Sequence, residues 1–279
     1  MHIKKIIFIC LLVVSACTSI QEDQLKDAEV YFEKGNYYAM QLGQYQKAII
    51  ELNKAIELYP NYTKAYYNRG CLYKMSGQHQ KAITDFNKTI ELNPDFTNAY
   101  INRGVSYIRI AQYDNAILNF NKAIEIDPNY AEAHFNRGCL YSKAYDQYQK
   151  AISDFNKAIE LKPNYASAYL NRGATFRKSG QYKKAIADLN KTIELKPDNA
   201  NVYINLGFSY TGLGQYQKAI DNFTKYIELK PNNARAYYYR GEVYIKLNNI
   251  VLACNDFRIA SQLRGCSKNE LEKVKKLCY

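Results

Sequence analysis

The chain's six prolines, Pro60, Pro94, Pro128, Pro163, Pro197 and Pro231, stand 34, 34, 35, 34 and 34 residues apart. A chain that repeats itself at that interval builds the same local unit again and again. The interval from Ala166 to Pro197 shows what the unit is. Ala168, Tyr169, Ala174 and Phe176, then Ala185, Ile186, Leu189, Ile193 and Leu195, recur at helical spacing. Between the two runs, Gly180 permits the left-handed backbone that ends a helix, and Pro197 closes the second run. Each run predicts a helix of about 13 residues, roughly 20 Å long, and the two together predict an antiparallel hairpin. Gly173 and Ala185 are small residues at the crossing, where the backbones approach closely. Such a hairpin cannot bury its own apolar face and needs copies of itself on either side.

The copies are present. The crossing alanine recurs as Ala48, Ala82, Ala116, Ala151, Ala185, Ala219 and Ala253, and the glycine as Gly70, Gly104, Gly138, Gly173, Gly207 and Gly241. The first repeat aligns with Asn36 at that place and has Gly35 one residue early. A 34-residue period carrying an aromatic, Gly, Tyr, Ala, Phe and Pro in that order resembles the tetratricopeptide repeat. The resemblance implies an all-α fold, a right-handed superhelical solenoid of seven helix-turn-helix repeats. Their expected bounds are 29–62, 63–96, 97–130, 131–165, 166–199, 200–233 and 234–264. Repeat four has one extra residue near Ala144-Tyr145-Asp146. Tyr or Phe stands where the family often has Trp, which accounts for 28 tyrosines and no tryptophan. Over 265–279, a last amphipathic helix with Leu271, Val274 and Leu277 on one face is expected to cap the array.

Residues 1–16 read as a secretion signal, with Lys4 and Lys5 before the apolar run Ile6 to Val14. Val14-Ser15-Ala16-Cys17 resembles the lipobox of bacterial lipoproteins, which implies cleavage before Cys17 and lipid on its thiol. Residues 17–28 are then a tether and the start of the first helix. By the same resemblance, Thr18 rather than Asp points to the outer membrane, on its periplasmic face, in a double-membraned bacterium. The formal charge of +12 falls to +10 without Lys4 and Lys5, an excess that suits acidic partners or surfaces.

Arg69, Arg103, Arg137, Arg172 and Arg240 precede the crossing glycine. Asp85, Asn119, Asp154, Asp188 and Asp256 stand level with them on the second helix of the same hairpin, and repeat six has Leu206 and Asn222 instead. That covariation within the chain predicts Arg–Asp pairs inside repeats: Arg69 with Asp85, Arg137 with Asp154, Arg172 with Asp188 and Arg240 with Asp256. Pairs of this kind fix register more than they stabilise. Lysines seven residues apart on the second helices, such as Lys150 and Lys157, with acids between them, describe a solvated outer face. His79 and His134 stand where other repeats have Tyr, as turn or core residues, and no metal site is expected.

In the resembled family the first helices line a concave face on which partners lie as extended peptides. Carried over by position, that face holds Asn68, Asn102, Asn136, Asn171 and Asn205, each with a donor and an acceptor for a passing backbone. The row resembles the asparagine ladder in the repeats of O-GlcNAc transferases, although the catalytic domain of those enzymes has no counterpart here. Tyr67, Ile101, Phe135, Leu170, Ile204 and Tyr238 are expected beside it as apolar pockets, with Lys64, Lys74, Arg109, Lys143, Arg177, Lys178, Arg235 and Lys246 as a basic lining that outnumbers Glu132 and Glu242. A groove of this kind favours a protein or extended peptide that carries acids or a free carboxylate. The Lys-Asn-Asn-Lys-Arg clamp of chaperone-binding relatives is not reproduced.

Cys254 and Cys278 lie 12 residues either side of Cys266 and come level in an antiparallel hairpin, where they either form a disulfide or stay as buried thiols. No nucleophile–base–orienter set or phosphate-binding glycine loop can be assembled. The expectation is a non-enzyme without cofactor and without nucleic acid, a lipid-anchored scaffold or adaptor for cell-envelope assembly that binds a partner in its groove. The alternative is a structural or self-associating envelope protein that uses its convex face or ends.

Overall fold

The computed structural model of the chain describes residues 23–263, 272 and 276–278. The expected signal segment, Cys17 and most of the expected cap lie outside them. Residues 23–40 form α1. Then follow α2 (Tyr45–Leu58), α3 (Thr63–Met75), α4 (His79–Leu92), α5 (Thr97–Arg109), α6 (Tyr113–Ile126) and α7 (Ala131–Ala144). The series continues with α8 (Tyr148–Leu161), α9 (Ala166–Lys178), α10 (Tyr182–Leu195), α11 (Ala200–Gly212), α12 (Tyr216–Leu229), α13 (Ala234–Lys246) and α14 (Ile250–Gln262). No strand occurs among the described residues. Two compact units divide at Ala133/His134. In the N-terminal unit α2 to α6 pack successively, and in the C-terminal unit α8 to α14 do the same. First helices of adjacent repeats also touch, α3 with α5 and α9 with α11.

Close packing inside each hairpin follows from the crossing glycine. The rings of Phe86, Phe120, Phe155, Phe223 and Phe257 are buried against it, and Leu52 and Leu189 take their place in the first and fifth hairpins. At Gly207 a Cβ would stand 2.6 Å from Cε1 of Phe223, so any larger residue must displace the ring. In the first hairpin it is Gly35, not Asn36, that meets Leu52 and the Ala48 carbonyl, as Gly173 meets Leu189 and the Ala185 carbonyl. The one-residue offset arises because this hairpin, like the fourth, has a longer turn before its second helix.

Every hairpin turn contains one residue with positive φ: Gly43, Gly77, Ala111, Asp146, Gly180, Gly214 and Asn248. Glycine takes this conformation freely, and Asn and Asp tolerate it through local hydrogen bonds. Ala111, at φ 58°, has neither excuse.

Beside the glycine sits the arginine. Arg69 donates through Nε and Nη2 to both carboxylate oxygens of Asp85, at 2.8 and 2.7 Å. Arg137 engages Asp154 in the same way (2.9 and 2.7 Å), Arg172 Asp188 (2.7 and 2.7 Å) and Arg240 Asp256 (2.8 and 2.7 Å). Arg103 reaches the neutral Asn119 with Nε alone, at 2.7 Å. A third contact was not expected from the sequence. Nη1 of Arg69, Arg103 and Arg172 also donates to Asn53, Asn87 and Asn156 on the second helix of the preceding hairpin, and Nη1 of Arg240 to Thr224. Aromatic rings stack against the guanidinium, Tyr66 and Tyr73 on Arg69 and Tyr237 and Tyr244 on Arg240. His134 takes such a ring's place at Arg137, with Nδ1 3.5 Å from Asp154. The first hairpin has its own version in Lys34 and Glu51, 3.3 Å apart, which the offset conceals in the sequence.

The charges report the same arrangement. Bonds to Asp154 and Asp256 raise the pKa of Arg137 and Arg240. Burial would lower Arg69, but Asp85 more than reverses it, whereas Arg103, facing an amide, is lowered by burial. Burial would likewise raise the Asp154 carboxyl, and the bonds from Arg137 and His134 hold it below the usual carboxylate range.

At the C-terminal end, Cys254 on α14 and Cys278 are joined by a disulfide with Cα atoms 5.5 Å apart, which sets Cys278 against the cluster of Ala234, Tyr238 and Phe257. Cys71 and Cys139 are free, half-buried thiols, and burial pushes Cys139 up to about 12.

Two measurements test these features. Replacing Arg172 with Leu strands the Asp188 carboxylate and is expected to cost about 3 kcal/mol in denaturant unfolding. R172L with D188N reproduces the Leu206/Asn222 pair of repeat six and is expected to recover most of that loss; equal loss in both variants would refute the pairing account. Ala111→Gly removes a strained backbone and is expected to add about 0.5–1 kcal/mol by the same measurement.

Candidate functional site

Contact between successive first helices places equivalent residues in a row. In the N-terminal unit the row holds Asn68 and Asn102, and in the C-terminal unit Asn136, Asn171 and Asn205, all half-buried. Their hydrogen bonds differ from a uniform ladder. Nδ2 of Asn102, Asn171 and Asn205 donates to the carbonyl four residues earlier in the same helix, at 3.0, 2.8 and 2.8 Å. Asn102 also donates to the Tyr67 hydroxyl at 2.9 Å, and Asn68 donates to Oδ1 of Asn36 at 2.8 Å. Counting donors and acceptors, Asn171 keeps its oxygen and one N–H, and Asn136 keeps its whole amide, with no other partner among the described residues. Asn102 has both N–H groups engaged. The expected pairing of every asparagine with a passing backbone is therefore narrowed, because a helical amide finds its own backbone first.

Basic side chains complete the row. Lys74 donates to Oδ1 of Asn102, and Arg177 donates through Nε to Oδ1 of Asn205 at 3.0 Å. Both stand four residues after their crossing glycine and reach forward by one repeat. Arg177 also lies 5.1 Å from the Phe208 ring centre; it has no carboxylate partner among the described residues, and burial lowers its pKa. Lys178 donates to the Ser142 carbonyl at 3.2 Å and lies over the Tyr148 ring. Lys64, Arg109 and Lys143 are exposed. Not one Asp or Glu occurs in α3, α5, α9 or α11. The charges of Arg69 and Arg172 on these helices are balanced by Asp85 and Asp188, which reach in from the second helices.

The expected apolar pockets are corrected by packing. Tyr67 stands 4.8 Å from Phe96 and 6.0 Å from Phe86, and Phe135 stands 4.8 Å from Tyr165 and 6.0 Å from Phe155. Phe96 and Tyr165 are the residues just before α5 and α9. Each ring therefore fills the gap between its hairpin and the start of the next, and Ile101 and Tyr238 are buried outright. Burial raises the Tyr67 hydroxyl well above the ordinary phenol range.

One opening does lie on the N-terminal unit. A cavity of about 280 Å³ is lined by Asn36, Ala39, Met40, Tyr45 and Leu52 of the first hairpin and by Asn68, Cys71, Leu72 and Met75 of α3. It is a feature of missing volume, and no residue type in the sequence announces it.

Set beside known proteins, the sequence matches the family described as Tetratricopeptide repeat over residues 28–62, 63–96, 200–233 and 222–255. It matches TPR repeat over residues 112–144, 146–178 and 174–214. No curated protein sequence matches the chain. Among solved structures, a tetratricopeptide repeat protein from Parabacteroides merdae is 22% identical, covering 90% of this chain and 98% of its own, with a TM-score of 0.66. PilW, described as a type IV pilus biogenesis factor, is 22% identical over 76% of this chain and 98% of its own, with a TM-score of 0.68. YrrB, described as a TPR protein with an unusual peptide-binding site, is 24% identical over 66% of this chain and 95% of its own, with a TM-score of 0.56. At these identities the likeness is one of fold. Helix hairpins stacked on a 34-residue period, crossing at glycine and matched by repeat patterns over most of the stretch from residue 28 to residue 255, place the chain in the tetratricopeptide repeat family.

Proposed function

We propose that this protein is a scaffold or adaptor that docks an extended, acid-bearing segment of a partner protein on its first-helix faces. The observation that carries this is Arg177, a half-buried guanidinium with no carboxylate partner among the described residues, set between Asn205 and Phe208 where α9 and α11 contain no acid, the acids of the flanking first helices being Glu132 of α7 and Glu242 of α13. A charge held in that way attracts an anion from outside. Asn171 keeps an acceptor and a donor free on the same face, a match for a peptide backbone. Proteins of this fold generally act as non-catalytic interaction scaffolds; YrrB is described as having a peptide-binding site and PilW as a pilus biogenesis factor.

The setting we propose is the bacterial cell envelope, with the chain exported and held by lipid on Cys17, on the periplasmic face of the outer membrane where there are two membranes. The Cys254–Cys278 disulfide supports export, since such bonds persist in oxidising compartments. No helix among the described residues is long and apolar enough to cross a membrane. A second reading, self-association through an end of the array, is favoured by α14. It begins Ile250-Val251-Leu252, with Val251 73% exposed, where most second helices have Tyr followed by polar residues.

Reversing Arg109 and Lys178 to Glu is expected to reduce recovery of the partner in a pull-down at least tenfold, with reversal of the outer-face Lys157 and Lys218 as the control that keeps it. Equal recovery from both variants would remove the groove reading, and cross-linking of the purified chain to a defined oligomer would then favour the second. Labelled palmitate is expected to enter the wild-type chain in cells and not Cys17→Ser; label in neither would remove the lipid anchor.

A further inference from the structure

The cavity in the N-terminal unit exists because the first hairpin departs from the next two at two positions. Four residues after the crossing glycine it has Ala39, where the next two hairpins have Lys74 and Ile108. Beneath the glycine it has Leu52, where they have Phe86 and Phe120. In the next interval Lys74 spans the corresponding gap and places its ammonium on Asn102. At Ala39 nothing reaches across, and about 280 Å³ stays open to solvent. That is just below the size of sites that hold whole small molecules, about 300 Å³ and upward. It suits a single bulky side chain.

The rim has the character of a recognition site. Met40 and Met75, the chain's two methionines after Met1, flank the cavity and are 77% and 60% exposed. Methionine is the side chain that reshapes itself around varied apolar guests. Asn36 and Asn68 share one hydrogen bond, which leaves N–H groups of Asn36 and Oδ1 of Asn68 without partners among the described residues. A peptide backbone presents the complementary carbonyl and N–H. Charge supplies the third part. Immediately along from Met75 lie Lys74, His79 and Arg109, close enough that Arg109 and Lys74 help to lower the His79 pKa, after the larger effect of burial. Nδ1 of His79 is buried without a hydrogen-bond partner. α3 and α5 contain no acid, and the acids of α1 all precede Lys34, ahead of the part that lines the cavity.

We infer that this cavity is the specificity pocket of the N-terminal unit: it takes one bulky apolar side chain of an extended partner segment whose neighbouring acid is held by Lys74 and Arg109. The inference rests on the peptide-docking reading and adds to it what the segment must contain. The Ala39/Leu52 gap selects the apolar residue, Asn36 and Asn68 hold its backbone, and the cationic group selects Asp or Glu a few residues away.

The test is selection from a displayed library of random nonapeptides on the full chain purified in detergent. Variants are Ala39→Ile, which installs the residue found at position 108, Ala39→Ser, which keeps the cavity, and Lys74→Glu with Arg109→Glu; circular dichroism checks that each is helical. Wild type and A39S are expected to enrich Leu, Met or Phe within a few residues of Asp or Glu. A39I is expected to lose the apolar enrichment at least tenfold and keep the acidic one, and the charge-reversed chain to do the opposite. Apolar enrichment that survives A39I overturns the pocket while leaving peptide docking in place. No enrichment on any of the chains overturns both.

Discussion

Within each unit the stack is held in register by a guanidinium taken most of the way out of water. A buried cation without partners would be ruinous, so Arg69, Arg172 and Arg240 are each given three kinds: a carboxylate inside the same hairpin, an amide or hydroxyl on the hairpin before, and flanking aromatic rings; Arg103 makes do with an amide in place of the carboxylate. The carboxylate fixes how the two helices of a repeat are phased, and the amide fixes how one repeat sits on the next. Apolar packing alone would not do this, because a stripe of alanines and aromatic rings can slide by a residue at little cost. Repeat six shows the other permitted solution. When the cation is absent, Leu206 is buried in its place, and Asn222 turns back to the Lys218 carbonyl at 2.8 Å.

Spending the acids on the second helices has a consequence for the opposite face. The Asp residues that neutralise arginine come from α4, α8, α10 and α14, and α3, α5, α9 and α11 carry none. Lys74 and Arg177 therefore turn to asparagine oxygens one repeat on, which are polar enough to hold a cation and too weak to neutralise it. The scaffold's own chemistry leaves these faces positive and oriented, with asparagines fixed by neighbouring helices before any partner arrives. Fixing them in advance lowers the entropy cost of binding.

Much of this could be read in the sequence because repetition supplies its own control. The 34-residue period, the glycine crossing and the Arg–Asp covariation all show themselves when seven copies are laid side by side. What escaped did so for identifiable physical reasons. The Lys34–Glu51 pair was hidden by one extra residue in a turn, which moves a helix by 100° of phase yet leaves its composition unchanged. Asn53, Asn87 and Asn156 resembled ordinary solvent-facing residues, since nothing in a single hairpin shows what the next one will place beside them. Tyr67 and Phe135 read as open pockets because aromatic residues on an outward face look alike, whether they wait for a ligand or fill a gap left by Phe96 or Tyr165. The cavity depends on absent atoms at Ala39 and Leu52, and small apolar residues are unremarked in any helix.

A perfectly periodic surface recognises a chemistry but cannot choose a register: an extended segment shifted by one repeat meets the same asparagine and the same charge. Discrimination has to come from positions where a repeat breaks the pattern, for the same reason that a strand buried on one face is pinned in register and one that is alike on both is not. In the N-terminal unit the breaks gather in the first hairpin, where the clamp becomes Lys34–Glu51, the buried ring becomes Leu52 and the spanning side chain shrinks to Ala39. These substitutions weaken packing: a residue lacking several carbons in a core gives up on the order of 1 kcal/mol or more. That loss falls in the first hairpin, beside α3 of the second, where no gain in packing offsets it. The cavity's position is thus hard to explain as a means of stabilising the array and easy to explain as a landmark from which a bound segment takes its register.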